Sequence, residues 1–136
     1  QDMAPATRRL LLQHEMTHGI YFTSPEFRAY VASQWQVLPA EPKSFLLRFF
    51  RFKRYDIDDR ALMVNEFQAY LLQQPLGALK DYVTRQMVVS FKQVYPQDTE
   101  FELRAAANAP ELQKAANNLA GWLKKNLGID IADLTR

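Results

Sequence analysis

No stretch of this sequence alternates convincingly with period two, while apolar residues recur at helical spacing from one end to the other. That property removes sheet-containing folds from consideration, and helix start and stop signals divide what is left. Pro5 suits a first turn, and a helix from Thr7 to about Tyr21 follows, with Leu11, Leu12, Met16 and Ile20 as its apolar positions. Ser24-Pro25-Glu26 supplies a hydroxyl cap, a proline for the first helical position and an acid near the positive helix end. The second helix should reach about Val37, burying Phe27, Tyr30, Val31 and Trp35. Pro39 and Pro42 bracket a break before a third, Lys43 to about Tyr55. Asp56 or Asp58 can cap a fourth, about Asp59 to Gln74, which Pro75 and Gly77 close. A fifth spans about Ala78 to Val94, and Asp98-Thr99 can cap a short sixth, about Glu100 to Ala107. Pro110 opens a seventh, ending at Gly128 after Lys124 and Lys125. The tail from Ile129 is too short to classify. With no repeat and no linker, the expectation is an all-α fold of about seven helices, one unit over residues 1–136.

Composition limits the function. Hydrophobic residues make up 48% of the 136-residue chain and aromatics 12%, enough for a real core. A net charge of +2 is too small for nucleic-acid binding driven by bulk charge. The interleaved segment Phe45 to Tyr55 reads instead as a packing helix: Phe45, Phe49 and Phe52 share one face, and Arg48, Arg51 and Lys53 coat the other. No apolar run is long enough to span a membrane, and Arg8 and Arg9 before only three leucines make no signal peptide. Cysteine is absent, which excludes disulfides, thiolate metal ligands and a cysteine nucleophile.

Both histidines of the chain lie in His14-Glu15-Met16-Thr17-His18, the pattern His-Glu-x-x-His, inside the first expected helix. Residues four apart project from one helix face, so His14 and His18 can grip one tetrahedral zinc ion. Glu15 is rotated around the helix and reaches a water beside the ion rather than the ion itself, where it can act as general base. A catalytic zinc site needs a third protein ligand. Histidine is exhausted and cysteine absent, so that ligand must be an acid. Glu66 is the only charged residue from Ala61 to Leu79, and its helical neighbours Leu62, Met63, Ala69 and Tyr70 turn it inward. A carboxylate placed there either coordinates a metal or meets one of the arginines. Glu26 is better explained as the acid of a first helical turn, and Glu41 sits in a loop between prolines.

On these residues the chain resembles the gluzincin branch of zinc metallopeptidases. His14-Glu15-x-x-His18 is followed by Asn65-Glu66-Phe67-Gln68-Ala69-Tyr70, which is similar to the Asn-Glu-x-x-Ala segment that carries the third ligand in several such families. The resemblance covers about Leu10 to Leu72, and only the two short motifs in it are specific. It implies His14, His18 and Glu66 as ligands of one catalytic Zn²⁺, Glu15 as base and then proton shuttle, and a peptide or protein as substrate. Hydrolases of this type also need an electrophile for the oxyanion. Tyr70, one turn from Glu66, is the least arbitrary candidate, and an ordinary core tyrosine is the plainer reading of it. Asn65 can orient a ligand from behind. Gly19 either admits a close approach of backbone or substrate or ends the helix.

The reading is therefore a zinc peptidase; the competing one is a helical module that binds zinc or a protein partner without turnover. Peptidases that resemble this motif place a sheet before the active helix. Here that helix begins about seven residues into the chain. The expectation is that the chain is the C-terminal part of a longer protein, its N-terminal portion elsewhere, with a bacterial periplasmic or secreted location as the guess.

Overall fold

The computed structural model describes residues 3–134. Among them it has six helices and no strand: α1 (Pro5–Thr23), α2 (Pro25–Val37), α3 (Ala40–Phe52), α4 (Arg60–Leu72), α5 and α6 (Glu100–Leu127). Helix α5 is continuous but changes pitch, running as Leu79–Asp81, then a π-helical segment Tyr82–Gln86, then Met87–Val94. Short 3₁₀ turns at Leu76–Ala78 and Ile131–Asp133 precede α5 and follow α6. The all-α expectation holds. No helix among the described residues is long and apolar enough to cross a membrane.

Most boundaries follow from local chemistry. Ser24 Oγ accepts from the Phe27 amide, so the hydroxyl cap does start α2. Asp59, rather than Asp56 or Asp58, caps α4, its carboxylate accepting from the Leu62 amide at 3.1 Å. Helix α3 begins at Ala40, so Pro42 lies within the first turn, where the amide it lacks would have had no intrahelical partner. Glu41 is therefore helical, and its carboxylate takes a 2.9 Å contact from Arg104 Nε.

The expected sixth and seventh helices are one. Helix α6 runs straight through Pro110. Proline there removes the hydrogen bond to the Ala106 carbonyl, but Ala106 and Pro110 are both exposed, so water can serve that oxygen. The buried stripe on the opposite face continues without interruption through Ala105, Ala109, Leu112, Ala116, Leu119 and Leu123. Packing of that stripe outweighs one lost bond. The helix stops at Gly128, whose φ of 64° is left-handed.

Helix α4 is the axis of the molecule. Every residue from Met63 to Leu72 is buried, because α1, α2, α3 and α6 all pack against it. Phe27, Phe45, Phe50 and Phe67 are fully buried around it, each contributing about 1.5–3 kcal/mol of transfer free energy. The aromatics of α3 face this core as expected, and Arg48 lies over the Phe91 ring at 4.8 Å.

Helix α1 is turned opposite to its apolar pattern. Leu11 and Leu12 are 45% and 52% exposed, and Met16 and Ile20 sit only at the edge of the interface. The face against α4 is instead Gln13, His14, Thr17 and Tyr21. Hydrogen bonds hold it there: Gln13 Nε2 donates to the Leu72 carbonyl, and Gln68 Nε2 donates to the Thr17 carbonyl. Hydrogen bonds across a polar seam offset the cost of burying it. It also brings the histidines onto α4.

Candidate metal centre

The two histidines and Glu66 converge where α1 crosses α4. His14 Nε2 and His18 Nε2 are 3.1 Å apart. Glu66 closes a triangle, with Oε2 3.3 Å from His14 Nε2 and Oε1 3.2 Å from His18 Nε2. A tetrahedron with zinc–ligand bonds of about 2.0–2.1 Å has edges of about 3.3–3.4 Å; the two histidine nitrogens lie near that spacing, and the carboxylate turns one oxygen toward each ring, with one ligand atom from each residue within 4.8 Å of the others.

What lies behind each imidazole decides which nitrogen faces the triangle. His14 Nδ1 donates to Gln73 Oε1 at 2.8 Å, and His18 Nδ1 donates to Asn65 Oδ1 at 2.8 Å. The Asn65 oxygen is held in place because it also accepts from Gln68 Nε2 at 3.0 Å. Amide oxygens can only accept, so both rings carry hydrogen on Nδ1, and a neutral ring then aims its Nε2 lone pair at the centre. With both rings neutral, two imidazole lone pairs and a carboxylate meet with no donor between them. Glu66 Oε2 is buried without a hydrogen bond. Three convergent acceptors in a buried site repel one another unless a cation or a proton joins them. This donor set fits a divalent metal with nitrogen and oxygen preference, zinc foremost.

Without a metal, the joining group is a proton on an imidazole, and the electrostatics reflect it. Burial works to raise the pKa of the Glu66 carboxyl, but its contacts with His14 and His18 outweigh that and bring it down to about 2. The His18 imidazole is raised, chiefly by its contact with Glu66 and against the opposing effect of burial.

Glu15 is exposed on α1, and its charge is felt by both His18 and the Tyr55 hydroxyl. Tyr70 is buried, its ring edge-on to His14 at a centroid distance of 4.8 Å. Its hydroxyl lies 3.3 Å from that of Tyr55. Burial, and then the Tyr55 hydroxyl, keep Tyr70 protonated at any ordinary pH. Tyr55 is only half-buried. It is set there by the turn that ends α3, in which Arg54 adopts a left-handed φ of 69°. Burial raises the Tyr55 hydroxyl pKa, and the neighbouring Glu66 carboxylate adds to the rise.

Asn65 sits behind His18 as anticipated. Gln73, which does the same for His14, and Tyr55 were not anticipated. Their signals were present: Gln68, Gln73 and Gln74 are polar residues in an otherwise apolar stretch, and Tyr55 ends an aromatic run. Gly19 does not end α1, which continues to Thr23, and no neighbouring part of the protein lies within 4 Å of where its Cβ would stand. Glu26 is exposed in the first turn of α2, and neither it nor Glu41 belongs to the cluster.

Comparison with protein-family models, curated proteins and solved structures returns no match for this chain.

Proposed function

We propose that the protein is a zinc-dependent peptidase that uses His14, His18 and Glu66 as metal ligands and Glu15 as general base. The observation that supports this most is the convergence of His14 Nε2, His18 Nε2 and the two Glu66 carboxylate oxygens at 3.1 to 3.3 Å, each histidine held from behind by an amide oxygen. A bound zinc ion would supply Lewis acidity, lowering the pKa of a water and polarising a carbonyl. The residues do the rest. Glu15 takes a proton from water as its oxygen bonds to the carbonyl carbon, and delivers that proton to the amine as the carbon–nitrogen bond breaks. Exposure leaves Glu15 free to reach substrate. Tyr55 supplies the hydroxyl donor for the oxyanion and Tyr70 positions it, because Tyr55 is the more accessible of the pair.

The decisive experiment combines metal analysis with cleavage of a peptide mixture. Wild type should carry one zinc per chain, lost in His14→Ala and Glu66→Ala. Glu15→Gln should keep the metal and abolish cleavage. Zinc bound without any cleavage by wild type would favour the inactive zinc-binding module, and no zinc in wild type would end the peptidase reading.

A further inference from the structure

Helix α1 has two sides. Gln13, His14, Thr17 and Tyr21 are buried against α4, while Leu11, Glu15, His18 and Phe22, spaced four, three and four residues apart, form one stripe on the outer side. His18 stands where the two sides meet, its Nε2 turned to Glu66, and Glu15 is exposed beside it. Apolar side chains open to solvent stand at both ends of the stripe: Leu11 is 45% exposed and Phe22 68%. Leu11 lies one turn before Glu15, and Phe22 one turn after His18. A molecule that reaches Glu15 from solvent therefore meets one of them or both.

The exposed Phe22 ring is held in place. It packs edge-on against Tyr21 at a centroid distance of 5.9 Å. Arg28 Nη1 donates to the Tyr21 and Phe22 carbonyls at 3.0 and 2.8 Å, which ties down the last turn of α1. An apolar ring fixed in solvent is a contact surface that loses little freedom on binding.

Between these ends the outer side has a gap. Gly19, one turn after Glu15, is exposed and carries no side chain. After proline, glycine is the residue least suited to a helix interior. A fold keeps it to end a helix, to take a left-handed φ or to let another segment close in. Gly19 does none of these. Helix α1 continues to Thr23, Gly128 is the only glycine of left-handed φ among the described residues, and none of those residues comes within 4 Å of where the Gly19 Cβ would stand. The Thr23 hydroxyl donates to the Gly19 carbonyl at 2.9 Å, so the bare backbone there already has its hydrogen-bond partner. The remaining use of the missing side chain is to admit something from outside the chain, next to the proposed base.

We propose that a substrate peptide lies extended along this outer side of α1, its backbone passing over Gly19 and its apolar side chains packing on Leu11 and Phe22. From Leu11 to Phe22 the helix rises about 16 Å, the reach of about five extended residues. Each end lies about 8 Å along the axis from the midpoint between Glu15 and His18, so the apolar contacts fall about two residues to either side of the cleaved bond. This inference rests on the peptidase reading, whose substrate class it narrows to peptides with apolar residues on both sides of the cut.

The experiment measures binding and cleavage separately. Two hexapeptides, with leucine or with serine as the second residue on each side of the central bond, are titrated by calorimetry into the metal-free protein. The leucine form should bind about tenfold more tightly, as expected when leucine side chains leave water. Leu11→Ser/Phe22→Ser, at two exposed positions, should remove that preference while the fold is kept. Gly19→Leu fills the gap and should weaken binding of both peptides about tenfold or more, with a thermal midpoint equal to or above that of wild type, since leucine is the better helix former. Equal binding of the two peptides by wild type, including no binding of either, overturns the proposal, as does a preference that survives in the double variant. A Gly19→Leu protein that binds like wild type, or that unfolds at a lower temperature, overturns it too. Zinc-dependent cleavage indifferent to the two leucines would refute the peptide path while leaving the peptidase reading intact. Selective binding of the leucine form with no zinc-dependent cleavage would support the path and refute the peptidase.

Discussion

The Asn65 side-chain oxygen lies 2.8 Å from His18 Nδ1, joining the helix that carries two of the proposed metal ligands to the helix that carries the third. Because Gln68 donates to the same oxygen, the amide cannot rotate without breaking a second bond. His18 is thereby locked with its Nε2 facing Glu66, before any ion is bound. Gln73 does the same for His14. The centre is preorganised by amides rather than by the carboxylates that often serve this role.

That arrangement predicts that Asn65→Ala and Gln73→Ala each weaken zinc binding by about 10–100-fold although no ligand is touched. Competition against a chromophoric chelator measures this. Affinities equal to wild type in both variants would show that the amides do not hold the rings.

The proton and the metal compete for one place. The pKa of Glu66 is lowered to about 2, so in the metal-free protein its contribution to stability is present above the ordinary carboxyl pKa and is lost as pH falls toward 2. His18 is raised, so its contribution is full below the ordinary imidazole pKa and fades as pH rises through the raised value. The metal-free protein should therefore be less stable at pH 9 than at pH 5, and zinc should restore the difference, since it replaces the departing proton. Thermal unfolding with and without zinc across that range checks both signs.

Tyr55→Phe should lower kcat by about tenfold or more with KM little changed, the pattern of a donor used mainly in the transition state. Tyr70→Phe should cost less, because its buried hydroxyl acts only through Tyr55. A larger loss from Tyr70→Phe would reverse the two roles.

The orientation of α1 can be tested through stability alone. Phe67→Ala, at a fully buried position of α4, should cost about 3–5 kcal/mol. Leu12→Ala should change stability by no more than about 0.5 kcal/mol, as expected of an exposed side chain. Denaturant unfolding of the two variants settles which face of α1 is inward.

The sequence by itself determined most of the helices and picked out the three residues that meet in the candidate site. Helical periodicity depends on residues three and four apart, and Ser24 and Gly128 act within one turn of where they stand, so α2 and the end of α6 could be placed without a fold. The His14–His18 pair is equally local, and Glu66 declared itself by being the only charge in a long apolar run. What tertiary structure decided lies between elements. The apolar residues of α1 pointed to Leu11 and Leu12 as its buried side, but hydrogen bonds between α1 and α4 turned Gln13, His14 and Thr17 inward, because a hydrogen-bonded polar seam can displace a weak apolar one. Pro110 looked like a boundary, and packing on both sides of it carried α6 through. The positions of Gln73 behind His14 and of Tyr55 beside Tyr70 depend on contacts 59 and 15 residues apart in the chain. Local periodicity carries no information about such contacts, because they form only when separate helices share one core.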